Sequence, residues 1–313
     1  MYKRRVARLN NALAASRTAK KTSKILQALQ SDGFCLFRLP NKVLTLSGSR
    51  INVDHLNRAL ARRKVLRENV FNVWAASDVE SDASGSGRAM YAITGGERVD
   101  GKKKRQPAQC LIKKHCEKHT PTVKSLVGLV GRISTYVREL FPACQLEMND
   151  PVVITSTASC PEQEVHLDGT DYNRTQHPSW VANSDHGQPG PLSCIVALQS
   201  GTSILAWPGG HHLFKVDGVG PCPDTICRDT VSQIKTVIQN LAGGQRIPKR
   251  RISIPPGNIL LFRQDLPHAG SGYTCNNTRL HMYMEPKGYN RAPNATGNIA
   301  KNMKKYFAET VSD

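Results

Sequence analysis

Acidic side chains are scarce: 313 residues hold 24 Asp+Glu against 43 Lys+Arg, a net charge of +19. That balance excludes an acidic, solvating chain and favours contact with polyanions. Aromatic residues make up only 6%, which is thin for a surface that stacks bases. No apolar run is long enough to cross a membrane as a helix. The first residues, MYKRRVARLNNALAASRTAKK, lack the continuous apolar core of a secretory signal. Nine cysteines, odd in number and scattered, do not make the dense framework of a small secreted scaffold. They read as reduced thiols of an intracellular protein, in cytoplasm or nucleus. The mitochondrion stays open, because residues 1–24 carry eight basic side chains and no acidic one. The hydrophobic fraction of 39% still supports a buried core and argues against wholesale disorder.

The positive charge is unevenly placed. Residues 1–150 hold 28 Lys+Arg and 12 Asp+Glu, whereas residues 151–313 hold 15 and 12. The basic N-terminal half is therefore a candidate surface for nucleic acid or another polyanion, and equally a solubilising face. No recognised nucleic-acid module accompanies it.

Residues 1–24 read as a basic arm. The segment KILQALQS (24–31) has helical spacing, Asp32-Gly33 is a turn, and FCLFRLP is a strand ended by Pro40. Helical periodicity returns over 54–76 and 121–141. Between them, 77–109 contains SDASGSGR, Gly95-Gly96 and Lys102-Lys103-Lys104-Arg105, and reads as a long mobile loop. From about residue 146 to 292 short apolar runs alternate with turn residues: LEMNDPVVITSTA, PLSCIVALQS, TSILAWP, RISIPPGNILLFR and TRLHMYMEP. Strands at such spacing predict a mainly β sandwich or jelly roll with flanking helices. Residues 25–145 form a helical or mixed N-terminal part and 293–313 a tail or helix. The span 25–313 is expected to be one compact domain.

Within the β-rich part lies Glu164-Val165-His166-Leu167-Asp168-Gly169. Residues i and i+2 of a strand share a face, so His166 and Asp168 can reach one metal ion. His268 follows the apolar run ILLFRQDLP, where a strand leaves the sheet. Two imidazoles and one carboxylate leave further coordination positions open, as non-haem iron(II) oxygenases require. Arg279 lies eleven residues beyond, in the next strand. Its guanidinium suits the far carboxylate of a keto-diacid cosubstrate such as 2-oxoglutarate.

These pieces resemble the phytanoyl-CoA hydroxylase-like group of Fe(II)- and 2-oxoglutarate-dependent oxygenases. The matching segments are His166-Leu167-Asp168, the run from Gly201 to His211, Ile254-Pro255-Pro256-Gly257-Asn258-Ile259-Leu260-Leu261-Phe262, and His268 with Arg279. They follow the family's order, and SDGFCLFRLP is similar to its entry strand. The chain departs at Asn258, where Asp is common, and at His211-His212, where Ser-His is more usual. The resemblance implies a double-stranded β-helix. It implies His166, Asp168 and His268 as metal ligands and Arg279 as the cosubstrate anchor, with Ser271 or Tyr273 adding a hydroxyl. It also implies dioxygen as the oxidant, with succinate and carbon dioxide released. Halogenating relatives have a small residue where Asp168 stands, so oxygen insertion is expected. The substrate class is a small molecule or a protein side chain. The same chemistry on nucleic acid and a catalytically silent β-helix binder are the alternatives.

Other candidates compete with plainer roles. Trp180, Trp207 and His211 could wall a substrate pocket, although Trp207 at an apolar strand end also reads as core. His281 shares strand parity with Arg279 and is read as core or support to the ligands. Cys110, His115, Cys116 and His119 fit no standard zinc spacing, and Cys222 and Cys227 read as loop thiols. The polar, aromatic stretch 170–190 follows the metal triplet directly and is expected to cover the site.

Overall fold

The computed structural model describes residues 19–46, 49–50, 72–73, 88–92, 121–156, 158–169, 189–215, 228–287, 289, 297–299 and 301–311. In chain order the strands are β1 (Phe34–Arg38), β2 (Thr45–Leu46), β3 (Ser49–Arg50), β4 (Asn72–Val73), β5 (Arg88–Ala92), β6 (Leu146–Ser156), β7 (His166–Leu167) and β8 (Leu192–Ala197). There follow β9 (Ser203–Ala206), β10 (Ile247–Ser253), β11 (Asn258–Arg263), β12 (His268–Gly270), β13 (Asn277–Pro286), β14 (Gly297–Asn298) and β15 (Phe307–Val311). The helices are α1 (19–31), α2 (Pro121–Leu140), α3 (Arg228–Ala242) and the short α4 (Lys301–Lys304).

Two sheets carry the core. The larger runs β1-β11-β8-β13-β6-β5-β4 and the smaller β14-β7-β12-β9-β10-β15. From β6 to β13 the chain visits the two sheets in the order large, small, large, small, small, large, small, large. That winding is a double-stranded β-helix, the expected fold class, and it places β7 and β12 as neighbours although about a hundred residues separate them.

Each sheet has a covered outer face. On the larger sheet Cys194, Val196, Ile259, Leu261, Leu280, Met282 and Met284 meet Ile25 and Leu29 of α1 and Leu126, Leu129, Val130, Ile133 and Val137 of α2. The α2 residues recur at i, i+3, i+4 and i+7, so they form one apolar stripe. Each fully buried Leu or Ile contributes about 2 kcal/mol of hydrophobic transfer. On the smaller sheet Leu205, Trp207, Ile247 and Ala269 pack with Ile234 and Ile238 of α3, Met303 and Phe307. The inner faces meet in a third cluster, including Ile195, Ile204, Ala206, Leu260, Phe262 and Leu266.

Turn chemistry closes the entry. Helix α1 is capped by Gly33, whose amide donates to Ala28 O at 3.2 Å and whose φ of 85° suits a residue without Cβ. A Cβ there would lie 2.7 Å from Leu266 Cδ1 and 2.8 Å from His211 Nδ1. Pro151 sits within β6 because the ladder to β13 shifts register there, between the pairs His281–Val152 and Tyr283–Asn149. A bulge tolerates a residue that cannot donate a ladder bond.

Four expectations change. The predicted loop 77–109 contains β5, paired with β6 from Arg88–Ser156 to Ala92–Val152, so part of it extends the larger sheet. The C-terminal segment holds both a helical turn and a strand, β15, parallel to β10. Residues 19–24, assigned to the basic arm, belong to α1. Within 54–76, Asn72–Val73 is a strand paired with β5, and the rest of that predicted helix lies outside the described residues. So do the Lys102–Arg105 run, the Cys110–His119 cluster, Cys222, Cys227, Trp180 and most of 170–190. Among the described residues no helix is long and apolar enough to cross a membrane.

Candidate metal centre

Strand β7 is two residues long and is held by register. His166 pairs with His268 of β12 on one side and with Asn298 of β14 on the other. His268 pairs in turn with Ala206 of β9. Directly opposed residues present their side chains on the same face, so both imidazoles project to the inner side. Their ring centroids are 4.4 Å apart. After Leu167 the chain turns, and the Asp168 and Gly169 amides both donate to the Gln264 carbonyl, at 3.0 and 3.1 Å. This latch holds the Asp168 carboxylate beside the His268 ring, with Oδ1 3.5 Å from Nε2. A Cβ at Gly169 would stand 2.9 Å from Gln264 Oε1 and 3.1 Å from its Cβ, so the Gln264 side chain would have to give way.

The ligand atoms of His166, Asp168 and His268 all lie within 4.8 Å of one another. Each histidine engages the carbonyl two residues before it: His166 Nδ1 lies 2.8 Å from Glu164 O and His268 Nδ1 2.9 Å from Leu266 O. With Nδ1 donating, each ring leaves Nε2 as an acceptor for a cation, the usual outer support of a metal-binding imidazole. The donor set is two nitrogens and one oxygen on one side of a site, which fits ferrous iron with open positions.

The electrostatics agree with that fit. Burial, then the neighbouring His268 charge, pushes His166 down to about 4, so it is neutral near pH 7. Burial alone would raise Asp168. His268 and His281 outweigh it and hold the carboxylate well below its usual range. For His268, burial acts to lower the pKa, but Asp168 prevails and raises it. A charged carboxylate beside an uncharged imidazole is ready for a cation.

Asp168 is braced on its second oxygen. His268 Nε2 is 3.5 Å from Oδ1. On Oδ2, Ser193 Oγ donates at 2.6 Å and His281 Nε2 lies 3.4 Å away. Ser193 escaped the reading of the chain. Its one signal was a hydroxyl in LSCIVA, a strand buried at every position. A polar network continues behind the site: Gln264 Nε2 donates to Glu285 Oε1 at 3.1 Å, and Asn149 Nδ2 donates to Glu285 Oε2 at 2.6 Å.

Arg279 is 3% exposed on the inner face of β13, two residues before His281. It therefore stands roughly 7 Å along the strand from the group that meets Asp168. Its Nη1 donates to Ser156 Oγ at 3.1 Å, and the guanidinium lies 5.4 Å from the Tyr273 ring centroid. Tyr273 offers this cation its ring face. The hydroxyl expected of it is committed elsewhere, donating to Ser203 O at 2.7 Å and accepting from Ser203 N at 3.3 Å. Ser271 is fully buried three residues beyond His268.

Two suggested wall residues lie elsewhere. Trp207 has the parity of Leu205, on the outer face; its Nε1 donates to Ala308 O at 2.9 Å and its ring meets Phe307 edge-on. The structure gives it the core role, opposite the metal side. His211 is fully buried at the α1–β1 junction, with Nε2 3.1 Å from Gln30 O and its ring packed on Gly33 and His212.

No family model and no curated protein matches the chain. Solved structures similar in chain course include the epimerase SnoN with Fe3+, alpha ketoglutarate and nogalamycin RO, at 14% identity and TM-score 0.47, covering 90% of this chain and 94% of that one. A prolyl hydroxylase from Trichoplax adhaerens, complexed with a hypoxia inducible factor peptide, shows 12% identity and TM-score 0.45 over 88% and 93%. HygX from Streptomyces hygroscopicus, with nickel and 2-oxoglutarate bound, shows 13% and 0.45 over 86% and 88%. At such identities no activity transfers, and the functional reading rests on this chain's own residues.

Proposed function

We propose that the chain is an Fe(II)- and 2-oxoglutarate-dependent dioxygenase that hydroxylates its substrate. The carrying observation is the inward meeting of His166, Asp168 and His268, with a buried guanidinium on the same inner face, two residues from the His281 that meets Asp168. The phytanoyl-CoA hydroxylase-like resemblance of the motifs supports the same reading.

In this assignment His166, Asp168 and His268 hold the iron, and Arg279 grips the far carboxylate of 2-oxoglutarate through charge-assisted bonds. With both bound, dioxygen converts 2-oxoglutarate to succinate and carbon dioxide, and its second oxygen atom enters a substrate C–H bond. The protein orients the groups. The Gln264 carbonyl fixes the turn that carries Asp168, and Ser193 and His281 occupy Asp168 Oδ2, leaving Oδ1 toward the imidazoles. Tyr273 backs the Arg279 guanidinium, and Ser156 aims it. Phe262, 4.8 Å from the His268 ring centroid to centroid, excludes water from one side.

The test is anaerobic loading with Fe(II) and 2-oxoglutarate, followed by oxygen. We expect slow, iron-dependent succinate release without added substrate, lost on chelation and restored by Fe(II). Arg279→Gln should raise the KM for 2-oxoglutarate roughly a hundredfold, the loss of two charge-assisted bonds, while metal binding persists. Full turnover without iron would reject the reading.

A further inference from the structure

One register row crosses the smaller sheet on its inner face. His166 pairs with His268, His268 with Ala206, and Ala206 with Arg250 of β10. Ala206 belongs to the inner cluster, as do Ile204 and its partner Ile252. Arg250 therefore projects to the same side as the imidazoles, two strands from His268, on the order of 10 Å between Cα atoms. Its neighbour Arg251 projects to the other face, with Nη1 donating to Ser203 Oγ at 3.5 Å.

Arg250 has none of the usual reasons for a cation on an inner face. It is solvent-exposed, and among the described residues its guanidinium makes no hydrogen bond or ion pair. Arg279, which also faces inward, is buried and backed by Ser156 and Tyr273. At the edge of the larger sheet, Phe34 and Leu36 of β1 pack only partly buried against the inner cluster, which includes Ile252 of β10. Their pairing with Phe262 and Leu260 puts them on the inner face, and Phe262 itself touches the His268 ring. An apolar wall thus runs from the triad toward an accessible cation.

We propose that Arg250 is a substrate anchor, and that the substrate is a small molecule with an apolar body and one anionic group, a carboxylate or a phosphate ester. The anion sits on Arg250, the body lies along Phe262, Phe34 and Leu36, and the oxidised carbon is near the triad, on the order of 10 Å from the anion. The proposal rests on the oxygenase reading for the triad, but the anion site itself does not require a metal.

Saturation-transfer NMR on the full chain, loaded with Mn(II) in place of iron and with saturating 2-oxoglutarate, tests it. The probes are benzoate, phenyl phosphate and the neutral benzamide. We expect one or both anions to bind, with ring protons relaxed by Mn(II), and benzamide to bind far more weakly. Arg250→Ala should weaken anion binding roughly ten- to hundredfold. Arg250→Lys should retain most of it, and both variants should keep the wild-type affinity for 2-oxoglutarate. The better-bound anion distinguishes carboxylate from phosphate. Equal binding of benzamide, no anion binding, or unchanged anion binding in Arg250→Ala would overturn the anchor. A loss of 2-oxoglutarate affinity in Arg250→Ala would also overturn it, assigning the guanidinium to the cosubstrate. Failure of Mn(II) uptake with Arg250-dependent anion binding intact would strike the metal reading and leave the anion site standing.

Discussion

The two faces of β13 differ in kind although both are buried. Arg279 and His281 turn inward, where they meet Tyr273 and Asp168. Leu280, Met282 and Met284 turn outward beneath α1 and α2, each 0% exposed. Burial therefore does not separate site from scaffold in this strand. What separates them is the partner: ionisable groups on one side, helix side chains on the other. A polar group is kept inside only where hydrogen bonds or charges offset its desolvation, and the inner face is where such partners converge.

That contrast can be broken at three places. Asp168→Ala removes the only carboxylate of the triad, and iron-dependent succinate release should fall to background with Fe(II) uptake lost, measured side by side. Retained turnover would erase the distinction between faces at its strongest point. Leu280→Ala, one residue from Arg279 but on the helix side, should cost about 2–5 kcal/mol of unfolding free energy. The folded fraction should keep the wild-type KM for 2-oxoglutarate; denaturant titration and steady-state kinetics read the two effects. A changed KM with unchanged stability would invert the assignment. His281→Gln is the smallest step. It should weaken metal affinity roughly tenfold, as loss of an outer support does, with little effect on 2-oxoglutarate affinity once metal saturates. Equal weakening of both would mean that His281 merely packs.

Part of this was legible along the chain. His166 and Asp168 show their common face by spacing alone, and the five β-rich runs from residue 146 onward correspond to β6, β8, β9, β10 with β11, and β13. Helix α2 was readable from its apolar stripe. Helix α3 was overlooked, although Ile234, Val237, Ile238 and Leu241 carry the same i, i+3, i+4, i+7 spacing and pack on the second cluster. Strand β5 was hidden in a segment rich in Ser and Gly, because its longer pairing, with β6, is to residues more than fifty positions away.

Local order, the alternation of apolar and polar positions and the identity of the ligand-type side chains were set by the sequence itself, since periods of two and 3.6 are properties of neighbouring residues. Only the tertiary structure decided which distant groups meet: His166 beside His268, Ser193 and His281 on one oxygen of Asp168, Trp207 turned away, and Arg250 in line with the imidazoles. Those meetings depend on strand register between segments far apart in the chain. A slip of one residue would send each side chain to the opposite face.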